Sequence, residues 1–330
     1  MNHKERLQRA LQGETISPPL RALWRHFPVD DQAPEALAEA TLSWQRTFEW
    51  DLVKVTPASS FCLKDWGAQD VWQGDSEGTR RYTHFVIQKP QDWERLPRLY
   101  PGEKEAPSLY AQLQVLRRLR QALGEDTPIL QTIFSPLAQA KNLAGGERLL
   151  VHLRRFPEAV WKGLETIAET TRRFVEACLE TGIDGIFYAV QHAQASLLSE
   201  EEYLRFGRPF DLKILAEARP LWCNMLHLHG QEIYAHLFFD FPVQILNWHD
   251  RETAPRLQEA ARHFPGLLCG GIARETLVYG TPLQVREEAQ EAYAECGGNR
   301  LILSTGCVVP ILAPFGNLMA LSRFEASPQA

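Results

Sequence analysis

What most constrains this chain is a count of eight. Eight short apolar runs are spread along 330 residues, separated by stretches with helical periodicity. They are Leu20–Trp24, Asp51–Val55, Pro128–Phe134, Asp184–Val190, Leu221–Leu226, Val243–Trp248, Leu267–Gly271 and Arg300–Ser304. None alternates strictly between apolar and polar residues, so each reads as a strand buried on both faces, the habit of parallel sheets. Helical patterns fall between them, over Pro34–Trp50, Ser108–Leu123, Pro157–Leu179, Glu200–Ala218 and Leu283–Cys296 among others. Shorter ones are expected over Glu232–Phe238 and Pro255–His263. Eight such units predict an α/β chain folded as a (β/α)8 TIM barrel, one domain over residues 1–330. Residues 58–106 break the rhythm and read as a hairpin-and-loop insertion after the second strand. An open doubly wound sheet is the alternative, but the chain has no G-x-G-x-x-G turn and no P-loop.

Charge and composition exclude some functions. The net charge is -6 and no basic tract occurs, which argues against nucleic-acid binding. No apolar stretch approaches the roughly 18–20 residues needed to span a bilayer. The first residues, Met1–Arg6, are polar and lead into a helix rather than a secretory signal, so a cytoplasmic protein is expected. Its six cysteines include no Cys-x-x-Cys pair and are expected to be reduced.

A barrel of this kind places its chemistry at the C-terminal ends of its strands. Two stretches there stand out, Met225-Leu226-His227-Leu228-His229-Gly230 and Ser304-Thr305-Gly306-Cys307. On an extended chain His227 and His229 point to the same side, because strand periodicity is two. With Cys307 they form a candidate site for zinc or another divalent transition metal, three protein ligands leaving a fourth position open. Other strand ends carry His192, His249 and Asp250, the candidate catalytic residues, with ligand-supporting, substrate-contact and plain loop roles as alternatives. Arg25, His26, Lys54, Gln191, Trp248 and Arg274 are the candidate substrate-binding residues. Arg25 and Arg274 suit bidentate binding of a carboxylate or phosphate, or ordinary ion pairs.

The sequence resembles the uroporphyrinogen decarboxylase superfamily over nearly its whole length. The similarity lies in Arg6-Leu7-Gln8-Arg9-Ala10-Leu11-Gln12-Gly13-Glu14 with Pro18-Pro19, in Phe187–Pro209, in Gly270-Gly271-Ile272, and in Gly306-Cys307-Val308-Val309-Pro310 with Pro314 and Asn317-Leu318. The superfamily includes true decarboxylases and corrinoid-linked methyltransferases, all (β/α)8 proteins. The decarboxylases carry Arg-Gln-Ala-Gly-Arg where this chain has Arg25-His26-Phe27-Pro28-Val29, and an aspartate where it has Thr56-Pro57-Ala58-Ser59. Their tyrosine after the third strand is replaced near Asn142, and a histidine near the last strand is replaced by Cys307. The methyltransferase branch binds zinc through His-x-Cys-Gly and Gly-Cys motifs. His227-Leu228-His229-Gly230 and Gly306-Cys307 resemble these, with His229 in place of a cysteine. The resemblance implies a zinc-dependent, methyltransferase-like enzyme moving a methyl group between a corrinoid and a small thiol, with methylcorrinoid as co-substrate and a corrinoid protein as partner. It leaves open a decarboxylase or lyase acting on a small carboxylate, a non-catalytic tetrapyrrole- or corrinoid-binding protein, and a homo-oligomer.

Overall fold

All eight runs become strands of one parallel sheet in the computed structural model, whose described residues are 1–327. The strands are β1 (Leu20–Arg21), β2 (Val53–Val55), β5 (Ile129–Phe134), β6 (Gly185–Val190), β7 (Met225–Leu228), β8 (Ile245–Trp248), β9 (Leu267–Ile272) and β10 (Leu301–Thr305). The insertion supplies β3 (Gln69–Trp72) and β4 (Arg80–His84), an antiparallel hairpin. The sheet runs β1-β10-β9-β8-β7-β6-β5-β2, with every pairing parallel. Helices flank it. Six described ones carry proline in the first turn, at Pro34, Pro107, Pro136, Pro157, Pro209 and Pro282, where the missing N–H has no helical partner to lose.

The expectation of a closed barrel needs correction at one seam. No ladder joins β1 to β2 among the described residues. β1 is only two residues long and follows Pro18-Pro19, which have no N–H to donate. Asp51 bridges the gap instead. Its N–H donates to Arg21 O at 2.9 Å, and its carboxylate accepts from Arg21 N at 2.9 Å and from Arg6 Nε at 2.6 Å. Arg6 belongs to the helix His3–Leu11, whose Leu7 and Ala10 pack with Leu20, Leu52 and Ile302.

Strand periodicity divides the side chains into two cores. Leu52, Leu130, Phe187, Met225, Ile245, Cys269 and Ile302 share the inner one, while Val53, Ile186, Leu226, Leu246 and Leu303 pack among the helices. Two residues beyond Leu52, Met225 and Ile245 come Lys54, His227 and Asn247, which the same periodicity carries to the inner side.

Several boundaries differ from expectation. The fifth strand is Met225–Leu228 rather than Leu221–Leu226, so His227 lies within it and only His229 follows its end. Residues before it are taken up by the Asn224 side chain, which accepts from Ile186 N at 3.1 Å and donates to Ala218 O at 2.9 Å. The expected helix over Glu232–Phe238 is a 3-10 turn, Ala235–Phe238, and that over Pro255–His263 shrinks to Leu257–Ala260. Three α-helices among the described residues were not foreseen, Asp92–Arg95, Gly146–Arg155 and Arg274–Tyr279. Among the described residues no helix is long and apolar enough to cross a membrane.

Candidate metal centre

The centre is built outward from one strand pairing. His227 on β7 lies opposite Asn247 on β8. The Asn247 amide donates to Cys269 O at 2.8 Å and to Thr305 O at 3.1 Å, so its NH2 is engaged. Its Oδ1 therefore accepts from His227 Nδ1 at 2.6 Å. That bond fixes the imidazole tautomer and leaves the Nε2 lone pair free, the arrangement by which a supporting partner orients a metal-binding histidine. His229 and His249 stand two residues beyond His227 and Asn247 and extend the same inner row.

Cys307 arrives from β10, which is separated from β8 by β9. Gly306 makes this possible. A Cβ there would lie 2.5 Å from His249 Cα and 2.5 Å from Trp248 O, so only glycine lets the loop press against the end of β8. The Thr305 hydroxyl holds the turn by donating to Cys307 O at 2.5 Å.

The result is a group of four donors, His227, His229, His249 and Cys307, whose ligand atoms all lie within 4.8 Å of one another. His249 Nε2 is 3.3 Å from His229 Nδ1, and Cys307 Sγ is 3.8 Å from the same nitrogen. Tetrahedral zinc with nitrogen ligands at about 2.0–2.1 Å sets neighbouring nitrogens roughly 3.3–3.4 Å apart, and sulfur somewhat farther. Two imidazole nitrogens this close need a proton or a cation between their lone pairs. Three imidazoles and a thiolate suit zinc or a neighbouring transition metal, so the residues fit the group they were expected to hold, and the cluster is capable of coordinating a metal ion. His249, expected as a catalytic residue, joins the three expected ligands as a fourth donor.

The electrostatics agree. Burial pushes the Cys307 thiol up, but the surrounding imidazoles outweigh it and hold the group well below its ordinary value. Burial lowers His227. At His249 burial acts downward, yet Cys307 and Glu252 carry the net shift upward. His249 Nδ1 is 3.3 Å from Glu252 Oε1, close enough for an ion pair though not aligned for a hydrogen bond.

The cluster lies at the wall of a cavity of about 840 Å³, which His227, His229 and Cys307 line while His249 stands behind them. The hairpin contributes Arg80, Arg81 and Tyr82 of β4 to the lining, and its connecting turn Glu77 to Thr79. Arg80 anchors that hairpin through Asp70 at 3.0 Å, Asp31 at 3.4 Å and Pro28 O at 2.9 Å. Of the expected substrate residues, His26, Lys54 and Gln191 line the cavity, as does His192 from the expected catalytic set. Burial brings Lys54 down to about 7, His26 to about 4 and His192 to about 3. Lys54 Nζ rests 4.5 Å from the Phe187 ring centroid.

The other expected residues lie outside the cavity lining. Arg25 sits over Phe27 and Trp44, at 5.1 and 5.0 Å from their ring centroids. Trp248 packs among the helices and donates to Pro255 O at 2.9 Å. Asp250 accepts from Gly271 N at 3.0 Å and is pushed up to about 7 by burial. Arg274 pairs with Glu77 at 2.6 Å and Glu252 at 3.0 Å. Asn247, the support of His227, is the residue that sequence reasoning left out of the site. Its signal was Asn247-x-His249, which repeats the spacing of His227-x-His229 on the neighbouring strand.

Fold and site together define a protein with a parallel eight-stranded sheet and a candidate metal centre at the C-terminal strand ends. The chain belongs to the uroporphyrinogen decarboxylase (URO-D) family, whose model matches residues 2–325. No curated protein matches the sequence. Among solved structures, a methyltransferase from Methanosarcina mazei shares the fold with a TM-score of 0.83 at 19% identity, over 97% of each chain. A B12-independent methionine synthase from Shewanella sp. W3-18-1, in complex with selenomethionine, matches with a TM-score of 0.57 at 15% identity, over 93% of this chain and 92% of that one. A putative vitamin-B12 independent methionine synthase from Listeria monocytogenes matches with a TM-score of 0.53 at 10% identity, over 94% and 96%.

Proposed function

We propose that this chain is a zinc-dependent methyltransferase-like enzyme, a single catalytic unit over residues 1–330, that moves a methyl group from a methylcorrinoid to a small thiol. The observation that carries the reading is the convergence of His227, His229, His249 and Cys307 at a cavity wall, with Asn247 fixing the tautomer of His227. With one of the four donors ceding its place to the substrate, bound zinc would supply a Lewis acid that keeps a thiol as its thiolate nucleophile at neutral pH. The chain's own residues do the rest. Lys54 and His26 line the cavity, Lys54 to attract an acidic group on the thiol substrate and His26, kept neutral by burial, to hydrogen-bond it. The hairpin, through β4 and its connecting turn, limits water access from one side. The thiol sulfur takes the methyl carbon, the cobalt–carbon bond breaks, and its electron pair stays with the corrinoid, carried by a partner protein. A cytoplasmic setting fits the free cysteines.

The test begins with metal analysis of wild type beside Cys307→Ala and His227→Ala. One metal per wild-type chain, lost in both variants, is expected. Wild type that stays metal-free after zinc reconstitution overturns the reading. Methyl transfer from methylcobalamin to a panel of thiols, followed in the corrinoid spectrum, then separates methyl transfer from a lyase and from corrinoid binding without turnover.

A further inference from the structure

The cavity wall contributed by the segment after β5 has a feature that the metal does not explain. There the helix Pro136–Ala144 ends, Gly145 turns the chain, and the ten-residue helix Gly146–Arg155 begins facing the cavity. No side chain caps this second helix, so its first-turn N–H groups and the positive end of its dipole stand open. Asn142 lines the same wall. It is 7% exposed, and its side chain makes no hydrogen bond among the described residues. Its amide has no protein partner, and it lines the cavity, so it is available to a ligand there.

Two neighbours add to this wall, Lys141 a positive charge and His192, kept neutral by burial, an unpartnered ring nitrogen. The Lys141 stem reaches within 4.0 Å of where a Gly146 Cβ would sit, and its ammonium pairs with no carboxylate among the described residues. His192, 3% exposed, also lines the cavity, and its Nδ1 is buried without a partner. Among the described residues the one carboxylate in the cavity lining is Glu77, which Arg274 already holds at 2.6 Å. Donors without acceptors, in a cavity with no free carboxylate, describe a place for an oxyanion.

We propose that Lys141, Asn142 and the N-terminus of helix Gly146–Arg155 form a second oxyanion subsite, so that the ligand of this cavity carries two acidic groups. Lys54 receives one and the Lys141 wall the other. Lys54 projects from β2, whereas Lys141 stands on the helix after β5, so the two ammonium groups come from separate elements. The inference rests on the cavity being the ligand site of the proposed function, but not on the metal. It selects among thiols: a mercapto-dicarboxylate or a phosphorylated mercapto-acid is preferred to a simple mercaptan.

Equilibrium dialysis of radiolabelled sulfate, at an ionic strength held constant with chloride, tests it on the full chain. Wild type is expected to bind two sulfates, Lys54→Met one and Lys141→Met one. Asn142→Leu is expected to weaken the Lys141 site about tenfold while retaining both. It serves as the second variant should Lys141→Met misfold, which circular dichroism reports. Cys307→Ala is expected to lose metal and keep the Lys141 sulfate, so failure of the metal reading is told apart from failure of this one. Two sulfates on Lys141→Met, a single wild-type site that Lys54→Met abolishes, or an unaltered site in Asn142→Leu overturns the proposal.

Discussion

Asn247 presents its carbonyl oxygen to His227 Nδ1 at 2.6 Å across two neighbouring parallel strands, and it has no freedom to turn. Its amide nitrogen is committed to the carbonyls of Cys269 and Thr305. A residue outside the cavity lining thereby decides which nitrogen of His227 faces the ligand cluster.

Asn247→Leu keeps the volume and removes the acceptor. Metal affinity, read by competition with a chromogenic chelator, is expected to fall about 10–100-fold, the usual effect of removing such a support. Unchanged affinity would mean that the tautomer of His227 is set elsewhere.

Gly306→Val is expected to release Cys307 from the cluster. Even a Cβ at this position meets His249 Cα and Trp248 O at 2.5 Å. The loop must back away, and metal stoichiometry should fall while far-UV circular dichroism stays native. A variant with full metal content would show that the loop has room the close approach denies.

Arg80→Met tests the anchoring of the hairpin. Arg80 is buried between Asp70 and Asp31, and removing it strands two shielded carboxylates, at a local cost of about 3–5 kcal/mol. Hydrogen exchange over 69–84 is expected to quicken, with β5 to β10 unaffected. Equal protection in both proteins would exclude this ion cluster as the anchor.

The buried carboxyl of Asp211 predicts a pH signature of stability. Burial raises it to about 6, against the opposing pull of the Tyr188 and Tyr203 hydroxyls, each donating at 2.6 Å. Between its ordinary value of 3.8 and about 6 the folded state holds a proton that the unfolded state has released. This contribution is therefore present at low pH and lost as pH rises through that window. Urea unfolding of wild type, compared with Asp211→Asn, is expected to show a difference drifting by about 1–3 kcal/mol against wild type from pH 4 to pH 6.5. A difference independent of pH would contradict the raised value.

The eight strands were legible because each is buried on both faces, and burial of that kind leaves a continuous apolar run. The fifth was misplaced by several residues because Leu221 and Cys223 are as apolar as the strand itself, while the Asn224 side chain, invisible to periodicity, ends the preceding turn. Helix Gly146–Arg155 was not foreseen; the two adjacent glycines at its start are poor helix formers, and here they separate two helices. In the site, His227, His229 and Cys307 stood out by residue type and position. Contact between β8 and the loop after β10 depends on the absent side chain of Gly306, and the pairing of His227 with Asn247 depends on register. Neither property is carried by a single segment, and His249 joined the cluster through both.

The place of β1 in the ladder has a consequence for synthesis. Its one strand partner is β10, joined through Leu20–Ile302 and Arg21–Leu303. A chain emerging from the ribosome delivers β1 first and β10 almost last. Throughout that interval Leu20, Ala22 and Trp24 have no neighbouring strand to cover them on that side, and the Asp51 bridge is their link to what has already been made. The apolar N-terminal segment is thus the part of the nascent polypeptide that waits longest for its strand partner, and a stalled or truncated product lacking β10 would leave that side of it uncovered.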